Sequence, residues 1–440
     1  MITKMSAKNF KSWVDTGVIR LAPLTGFFGT NSSGKTSLLQ MLLLLKQTAA
    51  SSDRNMVLQT EGSIVSLGTV KDILHQESTS LELMLDWRLE KTLSLPIEGS
   101  NDKENIDHLT FLSSIGRTSN GPDVQKMSYS SDQFIASMQQ GSKEKYKIEV
   151  RVADKNPARI QGRPPNISKP IKCYGFPSEA LQYYQNADYL IDLNGAFEEL
   201  FRNVFYLGPL RDDPKRIYQV LGNRPDDVGR KGELAVATLV TAGRDKILKE
   251  GRRWITLEEK IADWLKRMGL VHSFRTNPLL ENGSQYQVLI KRTSESREVP
   301  ITDLGFGISQ VLPVLVMCYY TPKSSTVILE QPEIHLHPAV QAVLADVFID
   351  AIKTRHIQII LESHSEHLLR RLQRRMAEKL INVSDAALYF CQMEGGSSRI
   401  DALQLSEYGD ITNWPDGFFG DLADDLIEMA KASIDRQMAE

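Results

Sequence analysis

The run Gly29-Thr30-Asn31-Ser32-Ser33-Gly34-Lys35-Thr36 has the residue types and spacing to hold a polyphosphate. It meets every fixed position of the pattern G-x-x-x-x-G-K-[ST], in which backbone N–H groups of a glycine-rich turn and of the helix behind it point at phosphate oxygens. Gly29, Asn31, Ser32, Ser33, Gly34 and Ser37 belong to that turn and its helix start. The Lys35 ammonium would bridge β- and γ-phosphates, and the Thr36 hydroxyl would join the shell of a Mg²⁺ ion. The pattern means most between a strand and a helix. Residues 24–28 are an apolar strand-like run, and a helical run leads from Ser37 into the apolar stretch 41–45. A nucleoside triphosphate is the expected ligand.

Further residues with suitable chemistry lie far downstream. The apolar stretch Val327-Ile328-Leu329 ends on Glu330 and continues Gln331-Pro332-Glu333-Ile334-His335-Leu336-His337-Pro338. A P-loop ATPase presents an acid to Mg²⁺ and its waters from such a strand end. The next strand, residues 357–361, runs into Glu362-Ser363-His364-Ser365, which places an imidazole at a neighbouring strand's carboxyl end. Such ends of an open parallel sheet converge on its ligand crevice. Asp303-Leu304-Gly305-Phe306-Gly307-Ile308-Ser309-Gln310 sets two glycines before a helix start, an anion-receptive N-terminus. His335 and His337 have H-x-H spacing without an evident third ligand nearby, so packing or dimer contacts are expected of them.

The elements that must position these groups follow from periodicity. Residues 3–10, 18–21, 81–87, 146–152, 204–207 and 286–291 read as strands, and 178–202, 257–268, 308–318, 339–352 and 366–377 as helices. Residues 98–141 are rich in Ser, Asn, Asp and Lys and read as loops. Strand–helix alternation in the second half argues for a largely parallel sheet covered by helices.

Composition narrows the class. The 440 residues carry 52 Lys+Arg against 55 Asp+Glu, a formal charge of −3, so no global basic field advertises nucleic acid. Three dispersed cysteines without a CxxC pair fit a reducing compartment and neither a disulfide framework nor a zinc site. The greasiest segment, 38–45, is too short to span a bilayer, and the N-terminus shows no signal-peptide pattern. A cytoplasmic protein without membrane attachment is expected.

With its Asn9-Phe10-Lys11-Ser12 start, its P-loop, the Glu330–His337–Pro338 segment and Glu362-Ser363-His364-Ser365-Glu366-His367, the chain resembles the ABC-type ATPases of the SMC/RecF/OLD lineage. It is most similar to the bacterial stand-alone AAA-labelled ATPases with a short uncharacterised C-terminal domain. The resemblance covers residues 1 to about 90 and 200 to 380, and reaches the tail through 409–419. It implies an α/β P-loop NTPase: an ABC/SMC-like head with a mostly parallel sheet, an N-terminal antiparallel β subdomain and a short inserted lobe. The expected divisions are 1–95 (P-loop part of the head), 96–200 (inserted lobe), 201–400 (remainder of the head) and 401–440 (tail). It implies ATP and Mg²⁺ as ligands, Glu330 and Thr36 as metal residues, and His364 as a switch sensing the γ-phosphate. Gly305, Gly307 and Ser309 then match the signature that a second subunit closes over the nucleotide, so a homodimer or higher oligomer is expected.

The departures from the family pattern bear on mechanism. Gln331 stands where many ABC-type ATPases carry the glutamate that polarises the attacking water, and an amide accepts no proton. Either hydrolysis is slow and the ATP-bound dimer long-lived, or Glu333 or a histidine supplies the base. The signature lacks the serine of L-S-G-G-Q at its usual place, leaving Ser309 as a substitute. Relatives often act in anti-phage defence beside a nuclease or toxin, which implies an ATP-gated sensor or scaffold with a separate effector protein. The alternative is a RecF-like DNA repair ATPase. A self-contained OLD-type nuclease is disfavoured by the short stretch after His364. DNA would meet Arg370, Arg371, Arg374 and Arg375, or Arg244, Lys246, Lys249, Arg252 and Arg253, although solvated helix faces account for most such runs. Arg211 would reach the nucleotide or a partner, or else form a surface salt bridge. Asp421, Asp424, Asp425 and Glu428 read as a solvated acidic face, and Trp414, Phe418 and Phe419 as a docking or packing element.

Overall fold

The computed structural model describes all residues except 119–120, 142–144, 162–166, 221, 243–247, 251–252, 416–427, 430, 434–435 and 437–440. β1 (Ile2–Phe10) opens an antiparallel sheet. After two short strands, Trp13–Asp15 and Ile19–Arg20, the chain crosses into β2 (Leu24–Gly29), an interior strand of a second sheet. All six residues of β2 are buried, as a strand covered on both faces requires. α1 (Lys35–Ala50) follows, and its apolar residues join the core lying between the two sheets.

β3 (Ser80–Pro96), β4 (Lys103–Thr118), β5 (Gly121–Ser131), β6 (Phe134–Gln140) and β7 (Tyr146–Val152) continue the first sheet as an antiparallel meander beside β1. Most of 98–141, expected as loops, is therefore strand. Its polar residues alternate with Leu109, Phe111, Ile115, Met127, Tyr129 and Phe134, which face the core, so one face of the sheet is solvated and the other packed. The segment set apart as an inserted lobe shares this sheet with the first 95 residues, through the pairing of β1 with β3 and of β3 with β4. The single helix expected over 178–202 divides into a 3₁₀ turn, Ser178–Gln182, and α2 (Tyr189–Arg202). Between them Asn186 takes a left-handed φ of 54°, which a continuous helix cannot hold.

The second sheet has the order β8 (Val204–Leu207), β9 (Thr326–Glu330), β10 (Gln358–Glu362), β2, β11 (Ala386–Glu394), β12 (Ser397–Ala402). The pairings are parallel from β8 to β11, and β12 closes the edge antiparallel. Side chains sort with period two. Ile328 and Ile360 face the core that holds α1, whereas Val327, Leu329, Ile359 and Leu361 face the opposite one. That opposite core is filled by α3 (Leu257–Arg267), α4 (Gly307–Tyr320), α5 (Pro338–Arg355) and α6 (Glu366–Ala377).

Local chemistry sets the helix starts. Thr256 and Glu259 form a capping box on α3, His337 accepts from the Ala339 N–H at 3.3 Å ahead of Pro338 on α5, and the Ser365 hydroxyl accepts from the Leu368 N–H at 3.1 Å on α6. The Gln358 side chain joins the two sheets. Its Nε2 donates to the Ile2 and Ala22 carbonyls (2.7 and 3.1 Å), and its Oε1 accepts from the Ile2 N–H (3.1 Å) and the Thr326 hydroxyl (3.0 Å). Among the described residues no helix is long and apolar enough to cross a membrane.

Candidate active site

The loop between β2 and α1 is shaped by what surrounds its glycines. Gly29 has φ 135°, and a Cβ there would stand 1.9 Å from the Cys391 carbonyl oxygen on β11. Gly34 has φ 87°, and a Cβ would come within 2.4 Å of the Ser398 hydroxyl and 2.7 Å of the Ser12 hydroxyl. Buried Trp13 donates its indole N–H to the Gly34 carbonyl at 3.1 Å. Ser12, Trp13 and Ser398 thus back the loop, a role the sequence did not reveal. α1 starts with neither a side-chain cap nor an acid in its first turn, which leaves its N-terminal N–H groups for an anion. Lys35 is only 3% exposed. Its Nζ donates to the Gly29 carbonyl (3.2 Å), the Thr30 carbonyl (2.6 Å) and the Ser33 hydroxyl (3.3 Å). Burial lowers its pKa, and the Glu362 carboxylate offsets part of that.

Two strand ends bring carboxylates to this loop. β9 and β10 run in register with Glu330 opposite Glu362, and both residues are buried. Oε1 of Glu330 accepts from the Tyr206 hydroxyl at 3.0 Å, and the Glu330 carbonyl accepts from Arg211 at 3.4 Å. Burial first, and the charge of Glu362 second, push the Glu330 carboxyl up to about 7. Burial raises the pKa of Glu362, and the neighbouring Thr36 hydroxyl and Lys35 ammonium offset part of that. Oε2 of Glu362 is buried and has no partner among the described residues. Arg211 belongs to the site and not to a surface salt bridge. Burial brings its pKa down to about 10 against the opposing pull of Tyr206, Glu330 and Glu333.

The turn after β9 is fastened to the turn after β10. Gln331, at φ 43°, donates its N–H to the Glu362 carbonyl at 2.9 Å. Oε1 of buried Glu333 accepts from the Ser363 hydroxyl (2.8 Å) and the His364 N–H (2.7 Å). Glu333, considered as a base, therefore spends one oxygen on holding the His364 turn. The His364 ring lies beside the Gly29 backbone, and burial, with Lys35 next, lowers its pKa and favours the neutral imidazole. The P-loop, Glu330, Gln331, Glu333 and His364 are thus one constellation. Glu362 and Tyr206 join it from outside the sequence-based set. The available signal for Glu362 was that two apolar strands of one parallel sheet both end in glutamate.

The signature segment is built differently. Gly305 borders open space, Phe306 is 57% exposed, and Gly307 starts α4 against Leu336 and the His335 carbonyl. The Ser309 hydroxyl donates back to the Phe306 carbonyl at 2.7 Å, and the residue is buried. Ser309, matched above to the signature serine, is here bonded into the first turn of its own helix. Arg216 pairs with Asp303 just before it. His337 is the α5 cap already described, and among the described residues no group of three or more His, Cys, Asp or Glu is placed to hold a metal.

A family model described as "AAA ATPase domain" matches residues 1–172, and one described as "AAA domain, putative AbiEii toxin, Type IV TA system" matches 214–370. Between them they take in both halves of the site. Each half of the site thus falls within an AAA-type ATPase match. A third model, "Protein of unknown function (DUF3696)", matches 381–429. No curated protein matches the chain. Among solved structures the ATPase is similar to an Smc head bound to the C-winged helix domain of ScpA (12% identity, 92% of this chain and 98% of that one, TM-score 0.45). It is also similar to the SMC head domain from Thermotoga maritima (10% identity, 92% and 99%, TM-score 0.41). A third is an Smc head with an extended coiled coil bound to the C-terminal domain of ScpA derived from Pyrococcus furiosus (12%, 92% and 96%, 0.44).

Two further regions of the ATPase were expected to meet partners. On α6, Arg370 pairs with Glu366 and lies 4.4 Å over the Trp414 ring, Arg371 and Arg375 pair with Asp346, and Arg374 and Arg375 pair with Glu378. All four guanidiniums are engaged within the chain. In the second basic cluster Arg253 pairs with Glu259, whereas Arg244, Lys246 and Arg252 lie outside the described residues, as does the side chain of Lys249. The start of the tail docks on α6. Gln373 donates to the Gly409 carbonyl at 2.8 Å, and Gly409 (φ 85°) approaches so closely that a Cβ would stand 2.1 Å from the Gln373 carbonyl oxygen. Phe418, Phe419, Asp421, Asp424 and Asp425 lie outside the described residues, and Glu428 pairs with Lys431 on an exposed helical stretch.

Proposed function

We propose that this AAA ATPase binds Mg²⁺·ATP in the cradle of residues 29–37, hydrolyses it slowly, and uses ATP to close as a homodimer. The observation that carries the reading is the meeting of an uncapped helix N-terminus, a buried lysine resting on neutral oxygens, and glutamates at two adjacent strand ends. The oxygen donors there suit a hard divalent cation, and the unpartnered Oε2 of Glu362 is the kind of orphaned atom such an ion satisfies. Thr36 and Glu330 would hold that cation, whose chemistry is to neutralise charge on the phosphates. Lys35 leaves the loop carbonyls for phosphate oxygens, the first N–H groups of α1 cradle the β-phosphate, and His364, fixed by Glu333 and Gly29, reports the γ-phosphate. Gln331 orients water without taking its proton, which keeps hydrolysis slow.

The partner subunit would contribute Gly305, exposed Phe306 and the start of α4. Ser309, bonded inward, plays no direct part in this reading. Closure then shifts the chain between two conformations by differential contacts. The fitting biological role is a gated sensor or scaffold for a separate nuclease or toxin effector in anti-phage defence. That role rests on the resemblance and on the toxin–antitoxin wording of the matching family. Direct DNA binding gains little from α6, where every arginine is paired.

Light scattering of wild type and Lys35→Ala with ATP, with ADP and without nucleotide tests the reading. A dimer or larger assembly that needs ATP and is lost in Lys35→Ala is expected; assembly indifferent to nucleotide would leave only a standing scaffold. Single-turnover hydrolysis by Gln331→Glu is expected to be faster than wild type, and an unchanged rate would count against the slow step lying at that position.

A further inference from the structure

The strand ends over the P-loop carry two glutamates, and the function above uses one of them for the metal. We propose that Glu362 is the second carboxylate of the Mg²⁺·ATP site, sharing the cation with Thr36 and Glu330. This rests on the nucleotide site proposed above and adds a residue to it. Glu362 ends the strand lying between that of Glu330 and that of the P-loop, with β2 paired directly to β10 and Phe27 opposite Glu362. It is therefore the strand-end acid adjoining the loop. Its carboxylate lies beside the hydroxyl of Thr36, the group that the P-loop pattern assigns to the metal. Its second oxygen, Oε2, has no partner, although the residue is only 4% exposed.

A buried carboxylate oxygen with no donor costs the fold free energy unless a ligand completes it. Glu333 also keeps a buried Oε2 without a partner, but its other oxygen is spent on the turn that carries His364 and not on the P-loop. Glu330 is engaged by Tyr206, and Glu333 by Ser363 and His364. The architecture does not need the Glu362 side chain for the turn either, since Gln331 is held by the Glu362 backbone carbonyl. A cation with oxygen ligands fits the vacant Oε2 beside the Thr36 hydroxyl.

The test compares binding of a fluorescent ATP analogue in EDTA and in Mn²⁺, for wild type and Glu362→Gln, with thermal melts alongside. Glu362→Gln is expected to bind the metal-free analogue as well as wild type or better, since a negative charge beside the phosphates is gone. Its gain in affinity on adding Mn²⁺ is expected to fall about 10-fold. An unchanged Mn²⁺ gain would overturn the proposal. Equal loss of both forms together with a lowered melting temperature would also overturn it, by marking Glu362 as a structural acid. Wild type that binds neither form would instead refute the nucleotide site itself.

Discussion

Two regions of this chain concentrate charge, and they differ in how that charge is satisfied. On α6 four arginines stand in one short stretch, and each is paired with a carboxylate of its own chain at the surface. Under the P-loop three glutamates and a lysine are buried. The lysine rests on neutral oxygens, and two of the carboxylates keep an oxygen without a partner. In sequence the arginine run is the more conspicuous. Physically the second region is the stronger candidate for a site, because its groups are held in an environment that folding alone does not repay. Density of charge marks a surface; incompletely satisfied, buried charge marks a site.

The contrast can be sharpened by pH. The Glu330 carboxyl, pushed up to about 7 in the fold from an ordinary value of 4.5, is stabilised in its protonated form. The native state then holds more protons than the unfolded chain between those values. Stability falls as pH rises through about 4.5 to 7, by up to about 3 kcal/mol, and is flat above. Urea midpoints for wild type and Glu330→Gln across that range check this, with the variant expected to show the shallower slope. Lys35→Ala comes next: loss of a charged donor to phosphate is expected to weaken ATP binding roughly 30- to 100-fold, or about 2–3 kcal/mol, as read by calorimetry. Glu333→Ala removes the acceptor of two hydrogen bonds, and should cost about 1–3 kcal/mol in chemical denaturation.

The arginine face should barely respond. Arg374→Ala, exposed and paired with Glu378, is expected to change stability by less than about 1 kcal/mol and to leave any affinity for duplex DNA and its salt dependence unmoved. A marked drop in DNA affinity would break the comparison, and would show that these pairs open for phosphate.

Much of the architecture was legible because it is periodic. The helices 257–268, 308–318, 339–352 and 366–377 and the strand pair ending at Glu330 and Glu362 differ from expectation by only a few residues at their ends. The meander between residues 98 and 141 was not, because half of its residues face water and their composition resembles that of a loop. Ser113 even stands buried in the inward row where an apolar residue would have betrayed the strand. Within the site, the P-loop could be read because all its parts are consecutive. Glu362 escaped notice because its meaning depends on register. Nothing in the intervening chain states that β10 lies against β2, or that Glu362 therefore reaches Thr36. The inward bond of Ser309 was hidden for the opposite reason, since it is a local choice between two rotations of one hydroxyl.

The amide of Gln358 has a consequence for how the chain comes to be folded. It holds both the N–H and the carbonyl of Ile2, a residue 356 positions earlier. β1 therefore cannot complete its buried hydrogen bonds until the 356 residues that follow Ile2 have been made. At about 5–20 residues per second that wait is on the order of tens of seconds. Throughout it the β1–β7 meander can assemble by local pairing, while the nucleotide-binding sheet lacks two of its interior strands. The segment that carries Gln358 into place delivers Glu362 and His364 four and six residues later.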